Sequence, residues 1–250
     1  MPWLIARYQP TSLFSFKHGD ATSTGGKSLL VPTPFAIRMA LLDAAIRTEG
    51  IAVGPRAFER IKSLRLGIKP PSHAAVASIF VKVLKPEREA EERGRAMAQT
   101  IAFREYVHLA GELALAFGGE EETLAAIRPW LMQVNYFGKR GSFYQLLAPP
   151  QVLAAETEDL PEGYVPFPGY DLLSRKLPGS FPLGLIQRVD EWGDPLRFEQ
   201  ANIYNRDRTA NIKVGKERRR VDVILPYRML RAYRGITLYG RLDWGGNGQD

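Results

Sequence analysis

The segment TPFAIRMALLDAAIRTEG, residues 33–50, decides the fold, because it is the clearest regular element of the chain. Its apolar residues recur at helical spacing and cover most of the helix surface. Pro34 suits the first helical turn, where a backbone N–H has no partner within the helix, and Gly50 suits a helix end. The sequence therefore predicts a buried first helix that begins at Thr33 or Pro34.

The chain before this helix is rich in aromatic and β-branched residues that partly alternate with polar ones. Such a pattern is typical of a strand, and a proline is expected to interrupt it. We predict a first strand over residues 3–16, broken near Pro10. A polar loop over residues 17–28 then joins this strand to the helix.

Residues 26–28, Gly-Lys-Ser, match the end of the phosphate-binding signature G-x-x-x-x-G-K-[ST]. The leading glycine of that signature would stand where this chain has Ala21. The signature also needs a helix that begins at the lysine, whereas Pro32 and Pro34 favour extended chain before them. A nucleotide site is therefore disfavoured. Two readings stay open, a polar connecting loop and a loop whose amides and lysine contact another polyanion.

The elements after the first helix change type several times. The sequence predicts a short helix, a strand, a highly charged connection, a long stretch of ambiguous type and a second long helix, over residues 54–64, 74–84, 85–99, 101–119 and 121–134. The connection could be a surface helix, a hairpin tip or disordered chain. Residues 149–182 are expected to be irregular and the last six residues disordered. Later strands are predicted over residues 181–190, 201–205, 218–226 and 235–244.

This order of elements predicts an α+β fold of the ferredoxin-like (RRM-like) type with a β-rich C-terminal extension. We expect residues 1–148 to form the ferredoxin-like domain and residues 149–250 to pack on it. A single domain is the alternative, because a chain of 250 residues fits either one large domain or two small ones.

The composition indicates an anionic partner. The chain has 34 basic and 27 acidic residues, a formal net charge of +7, and a sequence pI of about 9.6. This balance favours nucleic acid ahead of a membrane surface. The absence of cysteine excludes disulfides and cysteine-based zinc sites, and the three histidines lack metal-ligand spacing. We expect no cofactor, no metal, no membrane-spanning segment and a cytoplasmic location.

Two segments have the composition of a nucleic-acid surface. Residues 204–220 contain seven basic and two acidic side chains, with tyrosines nearby. In NYFGKRGSFYQ, residues 135–145, two glycines bracket Lys139 and Arg140, and aromatic residues flank them. Basic groups contact phosphates and aromatic rings stack on bases. The alternatives are a solvated charged surface for the first segment and a basic turn with core aromatics for the second.

A third set could cleave RNA without a metal. Lys17 and His18 adjoin each other, and Tyr8 precedes them on the first strand. A lysine can stabilise phosphorane charge, while a tyrosine or histidine can move protons. Residues of these types fall close together by chance in many chains, so the set is a weak alternative and we assign no catalytic residues.

Three segments resemble the CRISPR-associated protein 5 family, whose members are subunits of Cascade-type crRNA surveillance complexes and belong to the repeat-associated mysterious protein superfamily. They are PTPFAIRMALLDAAIRTEGI, FREYVHLAGELALAF and LAAIRPWLMQVNYFGKRGSF, and the N-terminal strand and polar loop precede them. The similarity lies mainly in residues 1–50 and 101–145.

The resemblance implies a subunit that binds the 5′ handle of the crRNA and caps the backbone of a type I complex. Its partners would be crRNA, the backbone subunit, the large subunit and, through the complex, target DNA. One subtype cleaves precursor RNA with a Tyr, Lys and His set, but its Lys-His pair lies in mid-chain, so we do not transfer those roles. The expected RNA-binding residues are Lys17, His18, Lys27, Ser28, Arg38, Tyr136, Lys139, Arg140, Arg206, Arg208, Lys213, Lys216, Arg218, Arg219 and Arg220.

Overall fold

The structure is a computed structural model that describes residues 1–21, 25–87, 94, 96–153, 159–167, 184–205 and 211–242. Within these residues the chain is mixed α/β with mostly antiparallel strands. The helices are α1 (Pro34–Glu49), α2 (Gly54–Ser63), α3 (Glu121–Gln133) and α4 (Phe198–Ala201), and a 3₁₀ turn (Ile51–Val53) joins the first two. The strands are β1 (Trp3–Pro10), β2 (Phe16–Lys17), β3 (Gly25–Gly26), β4 (Ser28–Leu29), β5 (Arg65–Lys69), β6 (His73–Pro86), β7 (Met97–Ala110), β8 (Leu113–Gly118), β9 (Tyr144–Leu146), β10 (Gln151–Leu153), β11 (Val165–Pro166), β12 (Leu185–Trp192), β13 (Arg218–Leu225), β14 (Tyr227–Tyr233) and β15 (Ile236–Arg241).

The first sheet has the strand order β10–β1–β8–β5–β11, and β9 also pairs with β1. All of its pairs are antiparallel. Helix α3 packs on β1 and on α1. Every residue of β8 is buried, which explains its continuous apolar sequence. Both faces of this sheet are therefore covered at its centre, and it offers no open face there.

The second sheet has the order β14–β15–β6–β7–β3. Its centre is a long hairpin, because β6 and β7 have 14 residues each and pair along their whole length. This hairpin lies between β5 and β8 in the chain. Two further pairs, β2–β4 and β12–β13, complete the architecture.

Buried ion pairing attaches β12 to α1. The guanidinium of Arg38 donates to both carboxylate oxygens of Glu191, at 3.0 and 3.2 Å. It also donates to the carbonyl oxygens of Ile61 and Leu64. Arg38 is 6% exposed and Glu191 3% exposed. The C-terminal strands are therefore tied to the first helix by a fully satisfied charge pair.

The first helix begins as the sequence predicts. Thr33 is its N-cap, and its hydroxyl oxygen accepts a hydrogen bond of 3.1 Å from the backbone N–H of Ala36. Gly50 ends it with φ 89°, a conformation that suits glycine. The helices predicted over residues 54–64 and 121–134 are also confirmed, and the ambiguous stretch 101–119 consists of strands.

Three features of the C-terminal chain differ from the predictions. The segment expected to be irregular contains the short strands β10 and β11, which pair with β1 and β5. Residues 201–205 are not a strand, because Ala201 ends α4 and the side-chain oxygen of Asn202 accepts the N–H of Tyr204 in a turn. Strand β14 was not predicted, since its Met, Leu, Arg and Ala residues also suit a helix, and only its pairing with β15 decides its type. The last eight residues, and residues 88–93 and 95 of the charged connection, lie outside the described residues.

Among the helices that the structure describes, none has the length and apolar character needed to cross a membrane.

Candidate functional site

A cavity of about 650 Å³ lies at the N-terminal end of α1. It brings together four residues that the sequence marks as RNA-binding candidates in three separate segments: Lys17, Tyr136, Lys139 and Arg218. Its volume is within the range of small-molecule and cofactor sites. The cavity is lined by Ser15, Phe16, Lys17, Gly26, Thr33, Phe35, Ala36, Met39, Ala40, Asp43, Arg104, Tyr136, Gly138, Lys139, Asp190, Ile203 and Arg218.

The turn that follows α3 positions Tyr136 and Lys139. Tyr136 forms an isolated bridge with Phe143, and the carbonyl of Lys139 accepts the N–H of Ser142 at 3.1 Å. Gly138 and Gly141 have φ values of 65° and 92°, a region that favours glycine. The segment is therefore a basic turn, which is one of the two readings of its sequence, and this turn presents its lysine to the cavity.

The ring of Phe137 anchors this turn. Phe137 is 1% exposed and packs edge-on against Tyr8, with ring centroids 5.3 Å apart. It also packs against Tyr144, with centroids 5.0 Å apart. Of the aromatic residues in this segment, two thus belong to the core, while Tyr136 lines the cavity and Phe143 is exposed.

Arg218 forms the opposite wall. Its guanidinium carbon lies 4.9 Å from the centre of the Phe35 ring, and its terminal nitrogen pairs with the carboxylate of Asp190. Both contacts restrict the side chain before any ligand arrives. A planar guanidinium over an aromatic ring is a surface on which a nucleobase can stack or to which a phosphate can bind.

The carboxylates of the cavity are compensated. Asp43 accepts hydrogen bonds from Arg47 at 2.8 Å and from the Tyr204 hydroxyl at 2.9 Å. Burial, followed by the hydrogen bond to this carboxylate, raises the pKa of Tyr204 above its ordinary value. Asp190 is paired with Arg218. Four basic side chains against two carboxylates leave the lining with a formal excess of two positive charges.

Two lysines supply positive charge that other described side chains do not neutralise. Within the described part of the chain, neither Lys17 nor Lys139 has an ion-pair partner. Thr33 and Phe35, from the cap and first turn of α1, also line the cavity, and α1 has no acidic residue in that turn. The helix dipole adds to the positive potential there. The arrangement therefore suits an anion with an aromatic or apolar part.

The Gly-Lys-Ser segment is not a phosphate-cradling helix start. The ammonium of Lys27 pairs with Glu105 at 3.0 Å, and this contact raises the pKa of the lysine. The hydroxyl oxygen of Ser28 accepts the N–H of Phe16 at 3.0 Å, so it holds β2 in place. Residues 22–24 of the polar loop lie outside the described residues.

Gly26 lines the cavity at a position that has no room for a side chain. A Cβ atom on this residue would come within 2.6 Å of the carbonyl oxygen of Phe103 and of the side chain of Arg104. Glycine thus allows β3 to pair directly with β7 beside the cavity. The sequence motif has a structural role that differs from nucleotide binding.

Strand geometry divides the run of three consecutive arginines. Arg218 faces the cavity, whereas Arg219 lines a separate cavity and Arg220 pairs with Asp20. Side chains alternate between the two faces of a strand, so a continuous basic run does not form one surface. Lys213 and Lys216 are exposed on the turn before β13, and Arg206 and Arg208 lie outside the described residues.

Other expected RNA-binding residues lie elsewhere. Arg38 is enclosed in its pair with Glu191 and is not at the surface. Arg140 is exposed at the tip of the glycine turn, outside the cavity lining. The ring nitrogen Nδ1 of His18 accepts the N–H of Asp20 at 3.2 Å.

The weak catalytic set does not assemble around an accessible tyrosine. Tyr8 is fully buried, and its hydroxyl donates a 2.8 Å hydrogen bond to the carbonyl of Leu131. Burial raises its pKa far above the ordinary value. A hydroxyl in this position cannot reach an RNA backbone, although Lys17 is exposed nearby in sequence.

Sequence reasoning missed Phe35, Arg104 and Asp190. Phe35 carried a usable signal, since an aromatic residue in the first turn of a helix lies beside its open N–H groups. Arg104 and Asp190 carried none, because their approach to the cavity depends on strand pairing over long sequence separations.

A known protein of similar sequence is CRISPR-associated. No protein-family model matches the chain. Over 139 residues the chain is 30% identical to the CRISPR-associated protein Cas5 of Archaeoglobus fulgidus. The match covers 55% of this chain and 57% of that protein. This part of the chain is homologous to Cas5. The resemblance stated from the sequence is confirmed, while the chain spans little more than half of the relative's length.

Two solved structures are similar to the chain. A CRISPR protein from Archaeoglobus fulgidus has a TM-score of 0.37 and 14% identity, and the match covers 62% of this chain and 65% of that one. A structure described as a Cas protein has a TM-score of 0.32 and 21% identity, covering 75% and 79% of the two chains.

Proposed function

We propose that the chain is a non-catalytic RNA-binding subunit of a type I CRISPR Cascade effector complex, which holds the 5′ handle of the crRNA and caps the backbone filament. The observation that carries the proposal is the cavity at the start of α1. There, basic and aromatic residues from three distant segments meet, and the homology to Cas5 supplies the biological setting. The protein would act in the cytoplasm, in antiviral defence.

The cavity has the two chemistries that single-stranded RNA needs. The rings of Phe35 and Tyr136 offer faces for a base, and Arg218 is already stacked on the first of them. The ammonium groups of Lys17 and Lys139 offer charge for phosphate oxygens at the cavity rim. RNA held in this way is recognised through unstacked bases and backbone charge.

The topology supports a ferredoxin-like domain as part of this proposal. In the first sheet β10, β1, β8 and β5 lie side by side in that order. When these four strands are numbered by their order in the chain, the spatial order is 4-1-3-2, and helices follow the first and third strands. This is the arrangement of a split βαβ fold. Both larger sheets include strands from each side of residue 149, which supports one domain rather than two.

The long hairpin supports a contact with a neighbouring subunit. Its outer half exposes large apolar side chains, and Phe80 packs edge-on against Phe103 with centroids 5.2 Å apart. An exposed apolar patch of this kind marks an interaction surface. The exposed apolar residues on this face of the hairpin are Phe80, Leu84, Met97, Ile101 and Phe103. We propose that the backbone subunit or the large subunit covers them.

RNA recovery tests the function. The chain co-expressed with its partner subunits is expected to purify with a short RNA, and alone to bind 5′-handle RNA with an affinity that falls as salt rises. Lys139→Ala should weaken binding and reduce the salt slope by roughly one phosphate contact. Arg128→Ala, an exposed arginine on α3, is the matched control for loss of one charge. Purified complexes that contain no RNA would overturn the proposal.

Cleavage is tested in the same material. Repeat RNA incubated with the protein in EDTA is expected to stay intact, because the hydroxyl of Tyr8 is enclosed and bonded to the carbonyl of Leu131. Product formation that His18→Ala abolishes would establish the endoribonuclease alternative.

A further inference from the structure

The second sheet has one buried and one open face. On the buried face lie Ala74, Val76, Val107 and Leu109, each less than 10% exposed. The residues that alternate with them point to the other side of the sheet. On that side His73 and His108 are exposed, Ala75, Ala77 and Tyr106 are half-buried, and the side chain of Leu230 from the bulge of β14 covers Gly240.

The strand registers arrange this open face in rows across β14, β15, β6 and β7. One row contains Arg231, Leu238, Ala75 and His108, and the next contains Tyr233, Ile236, Ala77 and Tyr106. A third row, on the other side of the first, contains Arg228, Gly240, His73 and Ala110. Adjacent rows are about 7 Å apart and four strands span about 14 Å.

These rows carry positive charge without negative charge. They contain two arginines and two histidines, and none of their members is acidic. The nearest carboxylate on β7 belongs to Glu105, which points to the other face and pairs with Lys27. A polyanion can therefore approach the open face without meeting a carboxylate from these rows.

The shape of the open face suits flat rings. Ala75 and Ala77 form a low floor on β6, with Tyr106 on one side and Leu238 and Ile236 of β15 on the other, and Tyr233 lies beyond Ile236. Tyr233 is 59% exposed, and its hydroxyl accepts a 3.0 Å hydrogen bond from Arg231. An exposed sheet face with aromatic and basic residues binds two or three unstacked bases in known RNA-binding folds.

The open face is continuous with the cavity. The row after that of Tyr106 contains Ile79 and Arg104, and Arg104 lines the cavity beside Gly26. A strand of nucleic acid that leaves the cavity past Arg104 therefore meets Tyr106 on the same face of β7.

We propose that this open face, from Tyr106 to Tyr233 and Arg231, is a second binding surface for single-stranded nucleic acid that extends the cavity by two or three nucleotides. The inference rests on the proposed function, because it assumes that the cavity holds RNA. It assigns base stacking to the two tyrosines and phosphate contacts to the arginines of β14, and it predicts little sequence preference.

Nucleic acid fits the open face better than a protein segment. The first and third rows, which are adjacent, contain Arg231 and Arg228, and no row contains an acidic residue. This concentration of positive charge attracts a phosphate backbone.

Binding of a labelled oligoadenylate of about 12 nucleotides, a length within the site sizes of single-strand-binding folds, tests the proposal in the full-length protein. Tyr233→Ala is expected to weaken binding about tenfold and Tyr233→Phe to leave it unchanged, because phenylalanine keeps the stacking face. Arg231→Ala should also weaken binding and lower the salt slope, whereas Arg128→Ala should not. Tyr233 and Arg231 are exposed, so thermal melting of these variants should match that of the wild type.

Each other outcome has a defined meaning. If Lys139→Ala weakens binding but Tyr233→Ala and Arg231→Ala do not, the open face is not part of the site, while the proposed function stands. If these two variants keep RNA affinity but lose recovery of partner subunits, the face binds protein and the inference is wrong. If the wild-type protein fails to bind the oligoadenylate at every salt concentration tested, although crRNA co-purifies with its complex, the open face is not a stacking surface and the inference is wrong.

Discussion

The pair between Arg38 and Glu191 carries the most specific prediction about stability. Glu191→Ala leaves the Arg38 guanidinium buried, with the carbonyls of Ile61 and Leu64 as partners but without a counter-charge. Removal of one member of a buried ion pair costs about 3–5 kcal/mol. At 2–4 °C per kcal/mol for a chain of this size, we expect the melting temperature to fall by roughly 6–20 °C.

The assay is denaturant unfolding followed by tryptophan fluorescence. Trp192 adjoins Glu191 and stacks on Phe58 with centroids 4.6 Å apart, so its emission reports directly on this region. The matched control is Glu122→Ala, which removes an 81% exposed carboxylate from its pair with Arg60. An exposed pair of this kind contributes about 0–1 kcal/mol.

A double replacement separates charge from packing. Arg38→Met with Glu191→Leu removes both charges and keeps apolar volume, so it should cost less stability than Glu191→Ala, although the Leu64 carbonyl and the Trp192 N–H lose these partners. Equal costs for Glu191→Ala and Glu122→Ala would refute the reasoning. The double variant should also bind RNA as the wild type does, and a tenfold loss in the folded variant would return Arg38 to the RNA surface.

Two further predictions concern backbone packing and pH. Gly26→Ala is expected to destabilise the protein by about 1–3 kcal/mol, because its Cβ meets the Phe103 carbonyl and overpacking costs that much; unchanged urea stability would show that β3 does not pair closely with β7. Burial raises the pKa of the hydroxyls of Tyr8, Tyr144 and Tyr227. The folded state then keeps protons that the unfolded state releases above about pH 10. The free energy of unfolding should therefore decrease above that pH by up to about 1.4 kcal/mol per tyrosine and pH unit. A titration followed by tyrosine absorbance should show these hydroxyls ionising only when the protein unfolds.

Local signals in the sequence were sufficient for the first helix. Its proline, its capping threonine and its final glycine act within a single turn of chain, and the structure has the cap and the end where these residues stand. The glycine turn around Lys139 follows the same logic, since positive φ at Gly138 and Gly141 is a property of individual residues. The net basic charge likewise needs no fold.

Local signals were misread at two places in the C-terminal chain. Residues 201–205 contain β-formers, yet the side-chain oxygen of Asn202 accepts the N–H of Tyr204 and turns the chain. Strand β14 contains helix-formers, yet β15 offers it a full ladder of backbone partners. In both cases hydrogen bonds decide the local structure, and the composition of the segment does not report them.

The sequence by itself determined the first helix, the order of elements and the attraction to a polyanion, because periodicity, caps and charge are properties of neighbouring residues. Only the tertiary structure decided which basic residues can reach RNA. Strand alternation directs Arg219 away from Arg218 and Arg220, the pair with Asp20 engages Arg220, and Arg38 is neutralised by a glutamate 153 residues away. The cavity forms where distant segments converge, and no local pattern encodes that convergence.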